Sequence, residues 1–236
     1  MGIARGPKIV TSGLVLALDA ADKLSYPGTG TTWRDLSGNN NTATLTNGPT
    51  FSAANRGSIV FDGTNDYVNV PYNVNLNPSS NISVSLWLTL TATDTTIRNP
   101  IDMSATAGED LYFIYWRADL SPKRWGWGVK QSNNTYAETT SAATNFSTNT
   151  WYNIALVANS SAGQVYFYYN GILDGGVAYN GTIKQNASAT LSIAADAANS
   201  RRYWQGNISN TLIYNRALST AEVLQNYNAT KSRFGL

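Results

Sequence analysis

The stretch ISVSLWLTL, residues 82–90, alternates aliphatic side chains with other types without a break. In an extended chain, successive side chains point to opposite faces, so the five aliphatic residues share one face. The other face carries Ser83, Ser85, Trp87 and Thr89. This period of two predicts a half-buried β-strand.

Similar runs recur along the chain, at 58–62, 66–70, 111–118, 151–159, 164–170, 189–195 and 207–215. Asn-Gly or Asp-Gly pairs, which favour tight turns between strands, stand at 47–48, 62–63, 170–171, 174–175 and 180–181. The polar stretch 132–150 is expected to be an exposed loop or an edge strand. Many short strands without alternating helices predict an all-β fold, a two-sheet antiparallel sandwich.

One helix is predicted near the end, in LSTAEVLQNYNAT, residues 218–230. Ser219 and Glu222 have the spacing of a capping box, and apolar residues follow at helical spacing. We expect this short helix to close one end of the sandwich. The predicted organisation is an N-terminal arm (1–12), one domain (13–228) and a C-terminal tail (229–236).

The composition excludes several kinds of chemistry. The chain has neither cysteine nor histidine, which removes disulfides, thiolate sites and catalytic triads that need an imidazole. A net charge of +2 gives no reason to expect nucleic acid as a partner. The apolar run within the first twenty residues is too short to span a membrane, so no membrane partner is predicted.

The carboxylates do not predict an enzyme. Retaining glycoside hydrolases need two carboxyl groups about 5 Å apart. None of the three glutamates, Glu109, Glu138 and Glu222, has a second acid two or four residues away. Asp62 and Asp66 are a candidate calcium pair, but a turn is favoured because two acids supply too few ligands. No cofactor or metal is therefore predicted, and calcium stays open without a matched ligand set.

The strand RWGWGVK, residues 124–130, has two unlike faces. Trp125, Trp127 and Val129 share one face, and the other consists of Arg124, Gly126, Gly128 and Lys130. A core made from the second set would leave holes and bury charge. We therefore predict that the tryptophans are buried between the sheets and that the second set is a flat surface open to a ligand.

The strand 111–118 carries aromatic residues on both faces, so its register is open. The polar-tipped pair Tyr112 and Trp116 is the candidate for the solvent or ligand face. Together with Arg124, Gly126, Gly128 and Lys130, this pair forms the predicted binding surface. The alternative, an ordinary sandwich with partly exposed aromatics, stays open.

The segments FDGTNDYVNV, SVSLWLTL, QVYFYYNGIL and IYNRALSTAEV resemble those of laminin-G-like, concanavalin A-like jelly-roll domains. The resemblance covers residues 13–228 and implies a jelly roll. The stretch 6–51 is similar to the opening of virion proteins of tailed phages, notably marine and cyanobacterial ones. That similarity implies a virion structural protein, in a capsid decoration or a tail or fibre appendage, which becomes extracellular after host lysis.

Two functions from different classes follow. In the first, the chain is a non-enzymatic virion structural protein. Its arm residues Arg5, Lys8, Ile9 and Val10 attach it to other virion proteins or to a second copy, in a symmetric trimer or dimer. In the second, it is a carbohydrate-binding module of a bacterial surface or secreted protein. A phage appendage that contacts host-surface glycans would combine the two, and a glycoside hydrolase is a distant third.

Overall fold

The computed structural model describes residues 7–105, 108–144 and 146–236, and within them sixteen strands form two antiparallel sheets. The strands are β1 Leu14–Asp19, β2 Thr32–Trp33, β3 Ala43–Thr46, β4 Thr50–Ser52, β5 Ser58–Asp62, β6 Tyr67–Val70, β7 Ile82–Leu90, β8 Arg98–Ala105, β9 Glu109–Arg117, β10 Arg124–Lys130, β11 Tyr136–Thr140, β12 Tyr152–Asn159, β13 Gln164–Tyr169, β14 Ile172–Ala178, β15 Thr190–Ile193 and β16 Gln205–Tyr214. One α-helix, α1, spans Thr220–Thr230. Short 3₁₀ turns lie at Ala54–Arg56, Val74–Leu76, Ala197–Asn199 and Lys231–Phe234.

Sheet A has the order β14-β13-β12-β7-β16-β5-β4, and β1 pairs with β16 beside β5. Sheet B has the order β11-β10-β9-β8-β15-β6-β3-β2. The polar stretch 132–150 was predicted to be an exposed loop or an edge strand. It contains β11, which is the edge strand of sheet B. The all-β two-sheet antiparallel sandwich with one short C-terminal helix is confirmed.

The core between the sheets is rich in aromatic rings. Trp125 and Trp127 are buried there, as their glycine-flanked strand predicted. Trp125 stacks on Trp204 with ring centroids 5.9 Å apart, and Trp127 of sheet B stacks on Phe167 of sheet A at 5.8 Å. These ring pairs fix the contact between the two sheets.

The outer face of sheet A is also buried around its central strands, which corrects two expectations. All nine residues of β7 are buried rather than half of them. The helix α1 lies against this outer face instead of closing an end, and Val223 and Leu218 belong to a second apolar cluster with Ala155, Leu212 and Tyr214. A sheet covered on both faces can carry apolar residues on both, so alternation alone underestimated its burial.

The predicted capping box is present at the start of α1. Ser219 accepts a hydrogen bond from the Glu222 amide, and the Glu222 side chain accepts one from the Ser219 amide. Both interactions satisfy amides that a helix end otherwise leaves without partners.

The described part of the N-terminal arm, residues 7–12, is packed on its own chain. Val10 is buried, its amide donates to Asn226 Oδ1 at 2.8 Å, and its carbonyl accepts from the Tyr214 hydroxyl at 2.9 Å. The Lys8 carbonyl accepts from Gln225, and Ile9 packs on the same apolar cluster. Val10 is therefore not available as an anchor for a partner, contrary to the arm hypothesis, whereas Ile9 is only partly covered. Arg5 lies outside the described residues.

The segment predicted as a tail, 229–236, is part of the fold. Phe234 stacks on Trp87 with centroids 4.2 Å apart, and the Trp87 indole donates to Thr230 Oγ1 at 2.7 Å. Arg233 forms an ion pair with Asp19 at 2.7 Å. Residues 8–10 and 230–234 thus both cover the outer face of sheet A.

The turn signals had mixed outcomes. Asn170-Gly171 joins the paired strands β13 and β14, and both residues have positive φ, as this kind of hairpin requires. Asp62-Gly63 is a turn, in which Asp62 accepts from the Thr64 amide and Asp66 from the Asp62 amide. The Asp62-Gly63 turn, however, connects strands of different sheets. Asp174-Gly175 lies inside β14 at a bulge, so the turn predicted at that pair is wrong.

Among the described residues, α1 and the other helical segments are too short to cross a membrane.

Candidate functional site

The register between β9 and β10 decides which aromatic residues face outward. Trp116 pairs with Trp125, and Tyr112 pairs with Val129, so both lie on the core face. Tyr112 and Trp116 are 1% and 3% exposed, and the Tyr112 hydroxyl donates to the Leu76 carbonyl. The prediction that this pair forms a ligand surface is wrong, because the tyrosine hydroxyl finds its partner inside the core.

Phe113 and Tyr115 occupy the outer face of sheet B instead. The glycines of β10 make room for them and for β11. A Cβ at position 126 would lie 2.3 Å from the Tyr115 ring, and one at position 128 would lie 2.6 Å from the Ala137 carbonyl. Gly126 and Gly128 are thus on the predicted face, but they are covered and do not form an open floor.

The two charged ends of the same face have structural partners. Lys130 Nζ lies 3.1 Å from Glu109 Oε1, and Glu109 also bonds Lys184 and Asn186, which lowers its pKa to about 2. Arg124 reaches the Ser141 carbonyl. Neither Lys130 nor Arg124 lines the pocket described next, so their predicted ligand roles find no support in the geometry.

A pocket of 440 Å³ opens on the outer face of sheet B, beside Phe113 and Tyr115. It is lined by Ile97, Gly108, Asp110, Phe113, Tyr115, Arg117, Tyr136, Glu138, Arg201 and Arg202. Strands β9 and β11 supply most of this lining, and the loop before β16 supplies the two adjacent arginines. A sheet holds its side chains rigidly, which suits a preformed binding site.

Tyr136 is the accessible aromatic group of the pocket, and 40% of it is exposed. Its ring meets Phe113 edge-on with centroids 5.9 Å apart, and Lys130 Nζ lies 5.4 Å from its centroid. The Arg202 and Arg117 guanidinium groups lie 5.7 and 5.8 Å from the Tyr115 centroid. These cation–π contacts orient the arginines at the pocket wall.

The pocket combines hydrogen-bond acceptors with cationic donors. Glu138 accepts from the Tyr115 hydroxyl, and desolvation raises the pKa of its carboxyl group above the usual value. Arg117 is bonded to Asp119 at 2.7 Å and Arg201 is bonded to Asp196, so Arg202, which lies 3.8 Å from Asp110, is the least engaged of the three guanidinium groups. The Arg201 side chain is 41% exposed. The arrangement can bind a polar ligand that also has an apolar face.

Three carboxylates converge next to the pocket, from β8, β9 and the segment after β15. They belong to Asp102, Asp110 and Asp196, and one oxygen of each lies within 4.8 Å of the others. Burial raises the pKa of Asp102 well above the usual value, with further increases from Asp110 and Asp196. Among the described residues, this group is the one whose geometry fits a metal ion.

Most of the pocket was missed from sequence. Tyr136 and Glu138 fall in the stretch predicted as a loop or edge strand, and Arg201 and Arg202 lie between predicted strands. The adjacent arginines of NSRRYW, in a chain with few charges, were an available signal. No pattern along the chain indicates that this loop meets β9 and β11.

A match to a known family defines the class of this protein. Residues 62–224 match the sequence profile of a laminin-G-like family described as the concanavalin A-like lectin/glucanases superfamily. The chain belongs to this family, as its resemblance implied. No curated protein matches the chain.

Solved structures show the same fold at low sequence identity. The binding domain of botulinum neurotoxin serotype D superposes with a TM-score of 0.70 and 17% identity, covering 92% of this chain and 52% of that one. The binding domain of Paraclostridial Mosquitocidal Protein 1 gives 0.70 and 18%, with the same coverage of 92% and 52%. The serotype D ligand binding domain in complex with N-acetylneuraminic acid gives 0.69 and 16%, covering 92% and 51%. The chain spans about half the length of these structures.

Proposed function

We propose that this chain is a non-enzymatic carbohydrate-binding domain and that the pocket on the outer face of sheet B is its saccharide site. The observation that carries this proposal is the exposed ring of Tyr136 in one pocket with Arg201, Arg202 and Glu138. A sugar ring has an apolar face that packs on an aromatic side chain, and hydroxyl groups that need directed partners. The pocket supplies both.

The arginines extend the proposed ligands to saccharides that carry a carboxylate. Guanidinium groups bind carboxylates in a planar, two-point geometry, and Arg201 and Arg202 stand side by side at the rim. The neurotoxin domain bound to N-acetylneuraminic acid shares this fold, and that acidic sugar is a suitable first probe.

Binding without hydrolysis is proposed because the converging acids do not form a usable pair. Retaining hydrolysis requires two carboxyl groups that both reach the substrate. Asp102 is completely buried and does not line the pocket. Two acids line the pocket, Asp110 and Glu138, but Asp110 is ion-paired with Arg201 and Arg202, and Glu138 is hydrogen-bonded to Tyr115.

For the setting, we propose the virion of a tailed phage, where the domain would be extracellular after host lysis. The support is the similarity of residues 6–51 to the opening of phage virion proteins. A secreted or surface protein of a bacterium is the alternative, and the saccharide site serves either setting. Mass spectrometry of purified particles tests the virion role, and light scattering tests the predicted trimer or dimer.

Glycan-array screening followed by calorimetry tests the saccharide site. We expect Tyr136→Ala and Arg202→Ala each to weaken binding at least about tenfold, the equivalent of about 1.4 kcal/mol. Both side chains lie at the surface, so the melting temperature should stay within a few degrees of the wild-type value.

Tyr72 provides a matched control, because it is 38% exposed and lies outside the pocket. Tyr72→Ala should bind as the wild type does. Equal losses in Tyr72→Ala and Tyr136→Ala, or no saccharide bound by the wild type, would contradict the proposed site. Release of reducing sugar would contradict the non-enzymatic assignment.

A further inference from the structure

Four buried oxygen atoms beside the pocket lack hydrogen-bond partners within the described residues. They are Asp102 Oδ1, Asp110 Oδ1, Asn99 Oδ1 and Ser192 Oγ. Ser192 is cross-strand from Asp102 in the β8–β15 ladder, so the two side chains share a face of sheet B. The Asn99 amide donates to Asp102 Oδ2, so its own oxygen lies beside the same carboxylate. Buried polar atoms are normally satisfied, so four together call for a ligand.

Asn99 and Ser192 point to a ligand independently of the acidic cluster. Both are fully buried, and neither carries a charge that would explain the grouping. A proton on Asp102 would satisfy at most one of the acceptors. A cation bound among the carboxylates accepts several oxygen ligands at once, and every atom in the set can offer a lone pair.

The arginines nearby neutralise the cluster only at its edge. Arg201 is bonded to Asp196 and lies 3.6 Å from Asp110 Oδ2, and Arg202 lies 3.8 Å from the same oxygen. In the described part of the chain no ion pair reaches Asp102, although this residue is completely buried. A buried carboxylate without a partner is costly, so a compensating cation is expected there.

We propose that Asp102, Asp110 and Asp196, with Asn99 and Ser192, bind one calcium ion. Ligand oxygens on opposite sides of calcium are about 4.6–5.2 Å apart, twice the usual Ca–O distance. The three carboxylates fit within that sphere, since one oxygen of each lies within 4.8 Å of the others. Asp196 already accepts hydrogen bonds from Ser104, Asn199 and Arg201. We therefore expect it to contribute mainly its negative charge to the calcium site.

Other metals suit this site less well. Magnesium keeps several waters in a regular octahedron, whereas Asp102, Asp196, Asn99 and Ser192 are completely buried. Zinc prefers nitrogen or sulfur ligands, and this donor set consists of oxygen atoms alone. Calcium accepts an irregular set of six to eight oxygens.

This site is distinct from the calcium pair considered from sequence, and it does not depend on saccharide binding. It joins β8, β9 and the segment after β15, which leads to Arg201 and Arg202 at the pocket wall. Calcium should therefore stabilise the whole of sheet B near the pocket.

Calorimetric titration of the full chain with calcium chloride, after treatment with EDTA, tests the inference. We expect one ion per chain, a higher melting temperature with calcium, and a much smaller response to magnesium. Asp102→Asn and Asp110→Asn should abolish the calcium heat, and Ser192→Ala should weaken it. In EDTA, Asp102→Asn should be at least as stable as the wild type, because it removes an uncompensated buried charge.

Asp62→Asn is the matched control, since Asp62 belongs to the other candidate pair and its carboxylate faces solvent. It should bind calcium as the wild type does. A metal-free wild type that shows neither heat nor a change in melting temperature overturns the proposal. So does calcium binding that survives Asp102→Asn and Asp110→Asn, or that is lost in Asp62→Asn. Saccharide binding measured in EDTA is a separate result, so either proposal can fail alone.

Discussion

At the residue scale, Gly126 determines where the Tyr115 ring lies. The ring occupies the space that a side chain at position 126 would need, and from there Tyr115 bonds Glu138 and stacks with Arg202. A glycine inside a strand normally weakens it. Here the missing side chain lets the Tyr115 ring pack closely against β10, where the ring forms one wall of the pocket.

Gly126→Ala is therefore expected to displace Tyr115 and to lower both stability and saccharide affinity. Overpacking of this kind costs about 1–3 kcal/mol, measured by urea unfolding. Gly175→Ala is the matched control, because its new Cβ would meet Trp127 at an ordinary 3.6 Å. The cost of Gly126→Ala should shrink in a Tyr115→Ala background. An equal cost in both backgrounds would show that the ring is not responsible.

At the scale of the element, α1 depends on a carboxylate that serves two purposes. Glu222 completes the capping box and also accepts two hydrogen bonds from Arg216, at 2.6 and 2.9 Å. The Arg216 guanidinium lowers the pKa of Glu222 from 4.5 to about 2. Because the folded-state pKa is the lower one, this contribution to stability is complete above pH 4.5 and is lost as the pH falls toward 2.

Glu222→Gln should remove that part of the acid sensitivity. Both partners are 30% exposed, so solvent screening limits the effect to about 0.5–1 kcal/mol. Urea unfolding between pH 7 and pH 2 should show the wild type losing more stability than the variant. Arg216→Gln should behave similarly, and adding it to Glu222→Gln should change little more. Parallel curves for wild type and Glu222→Gln would be inconsistent with this role.

At the scale of the whole molecule, residues from near both ends of the described chain cover the outer face of sheet A. Residues 8–10 pack on α1, and the final 3₁₀ turn places Phe234 on Trp87. This arrangement explains why β7 is buried on both faces.

Phe234→Ala is expected to destabilise the protein by about 3 kcal/mol, the low end for a buried phenylalanine, because the chain end can partly relax. Leu236→Ala should change the stability by no more than about 0.5 kcal/mol, since Leu236 is 50% exposed. Differential scanning calorimetry compares them directly. Equal melting temperatures would mean that residues 229–236 are the loose tail that the sequence suggested.

Local patterns in the sequence were enough to predict much of the fold. The period of two in β7, the contrast between the faces of β10 and the capping box of α1 all depend on residues within a few positions of one another. Such patterns report which side of a strand or helix is apolar. The strand β8 was missed because the alternation of Ile101, Met103 and Ala105 with polar residues is short and follows Pro100, a residue that argues against a central strand, although all eight of its residues are buried.

The functional candidates were decided by the tertiary structure. With aromatic residues on both faces of β9, its orientation depends on pairing with β10 and on the irregular register next to β8 that puts both Leu111 and Tyr112 in the core. Asp102 and Asp196 are far apart in sequence and meet only because β15 pairs with β8. Sequence alone determined the apolar face of strands such as β10, whose two faces differ clearly in residue type. Tertiary structure decided which residues meet, because sheet order and register bring together residues that no local pattern relates.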